Sequence, residues 1–323
     1  MKGIWITWEI QRRNYGISSA LGWPLFELNF VDDHTPIRYL KCIVGTIKIL
    51  RRERPEILVA QNPSMVLTIL GIIFKKFFGY KLTIDSHNSG IYPFEAKFRL
   101  LMVISKWIQR HSDLTIVTNP RLYKFVISNG GNPCILPDKL PCISTPSPAQ
   151  SKKRIVISYI CTFSKDEPYQ EVLRAAEMID ENIMIYFTGN YRDKVKKNTP
   201  KNVRLTGFLP ESKYWCLLAN SNLIMDLTLR EDCLVCGAYE AIALGKPLIT
   251  SDTNALRSYF YQGCVYVHPD RRSIAKGIMR AIKETETLQK EAINLKSEIK
   301  EQWKNDLNNV ISEMKATLYH TKR

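Results

Sequence analysis

The chain has no long hydrophobic run. Its longest apolar stretch, from Met65 to Phe74, is stopped by Lys75-Lys76, well short of the roughly 20 residues needed to cross a bilayer. The opening residues Met1-Lys2-Gly3-Ile4-Trp5-Ile6 lack the extended apolar region and small-residue cleavage site of a secretion signal. They read as a short strand. No G-x-G-x-x-G follows that strand, which argues against a nicotinamide dehydrogenase. No basic helix with interleaved aromatics and no RNA-binding sheet motif appears, so nucleic acid is not the expected partner. There is no Asp-x-Asp pair, and none of the 5 histidines or 8 cysteines completes a zinc site around Cys233-x-x-Cys236. Thiols scattered through a chain of this length imply reduced cysteines in the cytoplasm.

Acidic residues are also in deficit. The 31 Asp and Glu stand against 46 Lys and Arg, for a formal charge of +15. Such a surface favours anionic partners: nucleic acid, phospholipid headgroups or phosphorylated ligands. With 323 residues, 45% hydrophobic and 24% charged, the composition is that of a globular protein with two domains of about 100–200 residues each.

Short β-rich runs alternate with longer runs of helical period, the signature of parallel α/β layers. In the first half, strands are expected at 4–7, 25–30, 56–60, 81–85 and 114–118, with helices at 37–52, 64–78, 96–109 and 120–129. A proline-containing stretch at 144–153 reads as a linker. The alternation then restarts, with strands at 154–160, 182–187, 203–205, 222–227, 247–250 and 265–268. Helices are expected at 167–178, 212–219, 237–244 and 271–283. From Arg271 onward the chain is almost wholly helix-forming, and Trp303, Leu307, Val310, Ile311 and Met314 form an apolar stripe. The organisation expected is two α/β domains, 1–150 and 151–302, with a last helix at about 303–323 returning to the first. Ligands of open parallel sheets bind beyond the carboxyl ends of the strands.

The most informative stretch runs from Val203 to Asp252. It contains Thr206-Gly207-Phe208-Leu209, then Arg230-Glu231-Asp232, then Cys236-Gly237-Ala238-Tyr239-Glu240-Ala241, and Gly245-Lys246-Pro247. Asp232 and Glu240 have the spacing of an E-x7-E pattern with aspartate first. This stretch resembles the nucleotide-sugar-binding half of GT-B glycosyltransferases, particularly bacterial family 4. The resemblance covers the second half well, and the first only through strand–helix order and short motifs. It implies two Rossmann-like parallel-sheet domains facing a central cleft.

A helix opened near Gly237 presents free N–H groups and a positive dipole end, able to accept a diphosphate without a side chain. Cys236, Gly237 and Ala238 are the amides concerned. The resemblance implies that Glu240, in the first turn, accepts bonds from ribose hydroxyls, and that Asp232 faces the sugar or diphosphate, with Glu231 its rival. The alternative for Glu240 is complementing the helix terminus, worth about 0.3–1 kcal/mol. Thr206, Gly207 and Phe208 are implied to read the base through main-chain groups, or else to form a plain tight turn. The resemblance also implies that Gly189 belongs to a glycine turn near the nucleotide. Where family 4 places an arginine and a lysine to grip the diphosphate, this chain has Thr162 and Glu167, within an Asp-Glu-Pro variant. Lys165 and Arg230 are the candidates to replace them.

In the first domain, His87 in Asp85-Ser86-His87-Asn88 matches a histidine that the resemblance implies contacts the donor sugar. A histidine at a strand end is also often simply hydrogen-bonded. The loop after the first strand holds Glu9, Arg12, Arg13 and Asn14 where the family has a glycine-rich acceptor loop. Either arginine suits the pyrophosphate of a lipid-linked acceptor. Glu9 suits a proton acceptor. A solvated or salt-bridged loop is the alternative.

The implied activity is transfer of a hexosyl group from a nucleoside diphosphate sugar, a UDP-sugar favoured, to the hydroxyl of a lipid-linked or growing cell-surface polysaccharide intermediate. Neither a metal nor a resident cofactor is expected, retention is favoured, and the expected location is the cytoplasm, with peripheral attachment to an anionic membrane surface as an open alternative. Oligomeric state is left open. The alternatives are a phosphorylase or epimerase of the same architecture, or a catalytically silent GT-B subunit supporting a partner transferase.

Overall fold

The computed structural model describes residues 1–62, 64–143, 154–191, 195 and 199–319. The expected linker at 144–153 and the last residues of the expected final helix, 320–323, lie outside these. The chain divides into unit 1, Met1–Lys139 with Gln302–Arg323, and unit 2, Leu140–Glu301. The division thus falls between Lys139 and Leu140, earlier than the expected 150/151 boundary.

In unit 1 the strands are β1 (Gly3–Thr7), β2 (Leu25–Glu27), β3 (Ile57–Asn62), β4 (Lys81–Ser86), β5 (Leu114–Val117) and β6 (Pro133–Ile135). They form one sheet in the order β2-β1-β3-β4-β5-β6, every pairing parallel. The central strands are β-branched, apolar runs buried along their length, as a parallel sheet covered on both faces requires. One face packs against helix Met65–Phe78 through Leu58, Leu67, Leu82 and Ile84. On the other, Trp5, Ile57, Val59 and Ile116 meet Trp303, Leu307, Val310 and Met314. The indole N–H of Trp303 donates to the carbonyl of Pro137 at 3.0 Å. The apolar stripe of the last helix therefore belongs to the core of unit 1.

In unit 2 the strands are β7 (Ile155–Tyr159), β8 (Ile183–Thr188), β9 (Val203–Gly207), β10 (Leu223–Asp226), β11 (Leu248–Ser251) and β12 (Cys264–Val267). Their order is β12-β11-β10-β7-β8-β9. Helices Tyr169–Ala176 and Arg271–Lys283 cover one face, and helix Cys236–Leu244 the other. The 35-residue helix Thr285–Tyr319 buries Leu288, Ala292, Leu295 and Ile299 in unit 2 before its second half enters unit 1.

Two expectations change. Residues 12–21 form a helix, Arg12–Leu21, where a charged loop was expected. The helix expected from residue 96 starts at Arg99, because Phe94, Glu95 and Ala96 have φ of 50°, 57° and 60° and cannot continue a right-handed turn.

Candidate functional site

An open parallel sheet offers its ligand position where the strand order reverses. In unit 1 that point lies between β1 and β3, in unit 2 between β7 and β10.

At the unit 1 point the strand ends are polar. Thr7 donates to the Gln61 amide oxygen and to the carbonyl of Glu9 at 2.7 Å. The Asn14 amide donates to Thr7 Oγ1 at 3.2 Å and to the Glu9 carbonyl at 3.3 Å. Asn14 Oδ1 and Gln61 Nε2 are buried without a hydrogen-bond partner. Two strands along, Asp85 is fully buried and grips Arg13 through Nε at 2.9 and 3.1 Å and Nη2 at 2.7 Å. Arg13 also bonds Asp138 at 2.6 Å and the Leu136 carbonyl at 2.8 Å. Burial pulls its guanidinium down, but the two carboxylates outweigh that and hold it above its ordinary value.

Arg13 is therefore engaged inside unit 1 rather than displayed on a loop, which corrects its assignment to an acceptor phosphate. Arg12 is exposed at the helix start, and Asn14 is buried. Glu9 accepts from the Gln11 amide at 3.1 Å. His87 Nε2 lies 3.9 Å from Asp85 Oδ2. Burial, then the nearby Arg13 charge, lower the His87 pKa despite Asp85, which leaves a neutral imidazole at pH 7. Glu9, Arg13, Asn14 and His87 thus gather around β1 and β4.

In unit 2 the end of β10 is Asp226, and its Oδ2 accepts the Gly237 N–H at 2.7 Å. Burial raises the Asp226 pKa well above the carboxylate range; that bond opposes the shift, while Glu167, Glu240 and Asp166 add to it. A Cβ at Gly237 would meet Asp226 Oδ2 at 2.5 Å and Ile160 Cδ1 at 2.6 Å. Glycine is required there for close approach of strand and helix. The expected amide cluster needs correcting. The Gly237 N–H is held by Asp226, and the Ala238 N–H by the Val235 carbonyl at 3.2 Å. Cys236 opens the helix and is exposed. Glu240 lies in the second turn rather than the first; it is 6% exposed, and the Tyr214 hydroxyl donates to its Oε2. Asp232 is buried. Glu231 accepts from the Asn254 N–H at 2.9 Å, so it serves the next helix start.

The loops after β7, β8 and β9 converge. Cys161 N–H donates to Thr188 Oγ1 at 3.2 Å, and Gly189 N–H to the Gly207 carbonyl at 3.1 Å. Gly189 has φ +82°, and a Cβ there would lie 2.1 Å from the Cys161 carbonyl oxygen. Thr206 Oγ1 donates to the Gly207 carbonyl at 2.8 Å, while Phe208 is 79% exposed. Lys165 is exposed. Arg230 pairs with Asp166 at 3.2 Å, and the Leu229 N–H donates to the Asp166 carbonyl at 2.7 Å. These bonds tie the loop after β10 to the loop after β7. Glu167 has the richest set of donors: both N–H and hydroxyl of Thr162, the Ser164 N–H and the Cys161 thiol.

Sequence reasoning missed Asp226, Tyr214, Gln61 and the Asp85–Arg13–Asp138 cluster. A polar residue closing an apolar strand run is the signal for Asp226 and Gln61; the others are brought in by tertiary packing. Among the described residues, no group of three or more His, Cys, Asp or Glu is placed to hold a metal ion. No helix among them is long and apolar enough to cross a membrane. Among the described residues no disulfide joins the cysteines.

Two open parallel α/β sheets, with the last helix returning to the first unit, define the GT-B fold. Residues 144–301 match the family described as Glycosyl transferases group 1. Similar solved structures share the fold across nearly the whole chain. Sucrose-phosphate synthase from Thermosynechococcus elongatus has a TM-score of 0.78 and 13% identity, covering 100% of both chains. HepE from Anabaena, solved in complex with UDP-glucose, has a TM-score of 0.74 and 12% identity, over 96% of this chain and 100% of that one. A glycosyltransferase from Rickettsia africae has a TM-score of 0.72 and 10% identity, over 98% of each. No curated protein matches the sequence.

Proposed function

We propose that the chain transfers a hexosyl group from a nucleoside diphosphate sugar, a UDP-sugar favoured, to an acceptor hydroxyl. The acceptor is a lipid-linked or growing cell-surface polysaccharide intermediate. The observation that carries this reading is the group 1 glycosyl transferase match over residues 144–301, which spans the whole reversal point of unit 2. The fold relative that binds UDP-glucose supports the choice of donor.

The chemical task is to break the anomeric bond while negative charge builds on the departing diphosphate. In this reading Glu240, held by Tyr214, receives the ribose hydroxyls. Gly189 and Thr206–Phe208 line the base, while Lys165 and Arg230 supply positive charge. Asp232 orients the sugar, and in unit 1 Glu9 faces the acceptor. The reaction proceeds without a metal and with retention of configuration.

Unit 1 carries the membrane side of the proposal. Leu100, Val103 and Trp107 stand exposed along helix Arg99–His111, beside exposed Phe94 and Phe98. That helix carries Arg99, Lys106 and Arg110 and no acid. Exposed apolar side chains flanked by basic ones suit an anionic lipid surface.

One experiment tests the reading. UDP, GDP and ADP are scanned by thermal shift, and sugar transfer is then followed with the selected donor. Selective stabilisation by one nucleotide is expected, with E240A lowering kcat/KM for the donor by about 10- to 100-fold, in the range of losing a charged hydrogen-bond partner. No response to any nucleotide would sink it. The presence of Glu167 and Asp226 at the anion positions of unit 2 favours a second reading, a silent subunit that supports a partner transferase. In that case E240A leaves the partner's activity unchanged.

A further inference from the structure

The loop leaving β7 is built to hold an anion. Phe163 sits at φ +59°, and a left-handed residue between its neighbours turns successive N–H groups to one side. Thr162 N–H reaches the two Glu167 oxygens at 2.9 and 3.1 Å, and Ser164 N–H reaches Oε2 at 3.0 Å. The Thr162 hydroxyl adds a bond at 2.9 Å and the Cys161 thiol one at 3.3 Å. The anion in this cradle is thus part of the chain. Bonds to an ionised acceptor are about twice as strong as neutral ones, so the carboxylate is held firmly. It also opposes any second negative charge at the same place.

We infer that Glu167 is a built-in substitute for a ligand phosphate, and that it sets donor specificity by keeping phosphate out of the Thr162–Ser164 amide cradle. The inference rests on the donor-site reading above and adds a specificity-determining residue to it. The location follows from topology, since this loop flanks the reversal point between β7 and β10. The Gly237 N–H there is likewise taken by a side chain of the chain, that of Asp226. Selectivity then falls on the nucleoside and the sugar, and the phosphates add little affinity at this cradle.

The test compares uridine, UDP and inorganic pyrophosphate on the wild-type full chain, E167A and E167Q, by calorimetry and thermal shift. In the wild type, UDP is expected to bind within a few-fold of uridine, and pyrophosphate to leave the Tm unchanged. In E167A the UDP-to-uridine affinity ratio is expected to rise tenfold or more, and millimolar pyrophosphate to raise the Tm. E167Q keeps the side-chain shape without the charge and shifts both readouts the same way, so it decides the matter should E167A fail to fold. The inference is overturned by a wild type that already prefers UDP by a hundredfold. Variants with an unchanged ratio and no pyrophosphate response overturn it equally. Should no nucleoside or nucleotide bind any of the three proteins, the donor-site reading fails. The pyrophosphate response then decides the role of Glu167 by itself.

Discussion

Both sheets are parallel and six-stranded, ordered β2-β1-β3-β4-β5-β6 and β12-β11-β10-β7-β8-β9, and they differ in what they place where the strand order turns. In unit 1 the position between β1 and β3 holds the neutral groups Thr7, Asn14 and Gln61, beside an enclosed pair of opposite charges, Arg13 and Asp85. In unit 2 the position between β7 and β10 is acidic, with Glu167 and Asp226 each taking backbone N–H groups. The lesson is that a parallel α/β sheet fixes where a ligand is presented. The chemistry offered there depends on a few side chains at the strand ends.

The largest expected effect falls on unit 1. R13M leaves Asp85 buried without a cation, and losing one partner of such a pair costs about 3–5 kcal/mol. A fall of that size in the unfolding free energy from urea titration is expected. In the double variant R13M/D85M most of the loss is recovered, since apolar replacement of both partners is often neutral. A double variant as unstable as the single one would show that the network does more than balance charge.

Next comes unit 2, where G237A forces a methyl group against Asp226 and Ile160. Overpacking of this kind costs about 1–3 kcal/mol, and the same urea titration reads it. D226N is smaller and opposite in sign. Burial raises the folded-state pKa of Asp226, so its contribution is fully present below about pH 4, the unfolded carboxylate value. It is lost as pH rises toward the folded value. The asparagine variant is therefore expected to be more stable than wild type at pH 7, with the gap closing toward pH 4. A gap independent of pH would contradict the protonated form of Asp226. The smallest effect is R230A. Its ion pair with Asp166 is part-exposed and worth about 0–1 kcal/mol, and the difference is expected to fade in high salt.

Most of the fold was legible because a buried parallel strand must be a short apolar run. That is how β1, β3, β4, β7, β8 and β10 stand out. Helix Arg12–Leu21 was not legible, because its buried residues include Arg13 and Asn14, and their burial depends on partners far along the chain. Strand β6 has three residues and begins with proline, too little pattern to read. At the site, the glycine and the acid of the Gly237–Glu240 segment were visible as a motif. What holds Gly237 was not, because Asp226 reaches it only when β10 lies beside the helix. The pairing of Arg13 with Asp85 and Asp138 spans 72 and 125 positions, beyond any local pattern. For Glu167 the sequence marked a departure from the expected cation; the cradle it fills depends on the left-handed backbone of Phe163, which no residue type announces.

The helix Thr285–Tyr319 has a consequence for biosynthesis. Its first half completes the core of unit 2 through Leu288, Ala292, Leu295 and Ile299, and its second half completes unit 1 through Trp303, Leu307, Val310 and Met314. A ribosome delivers Met1–Lys139 before unit 2, yet that segment waits for Trp303–Met314, made after the whole of unit 2, before its hydrophobic face is sealed. Unit 2 needs nothing beyond Glu301. The half translated second is therefore the first able to finish folding, and the nascent amino-terminal half spends most of translation in need of protection from aggregation.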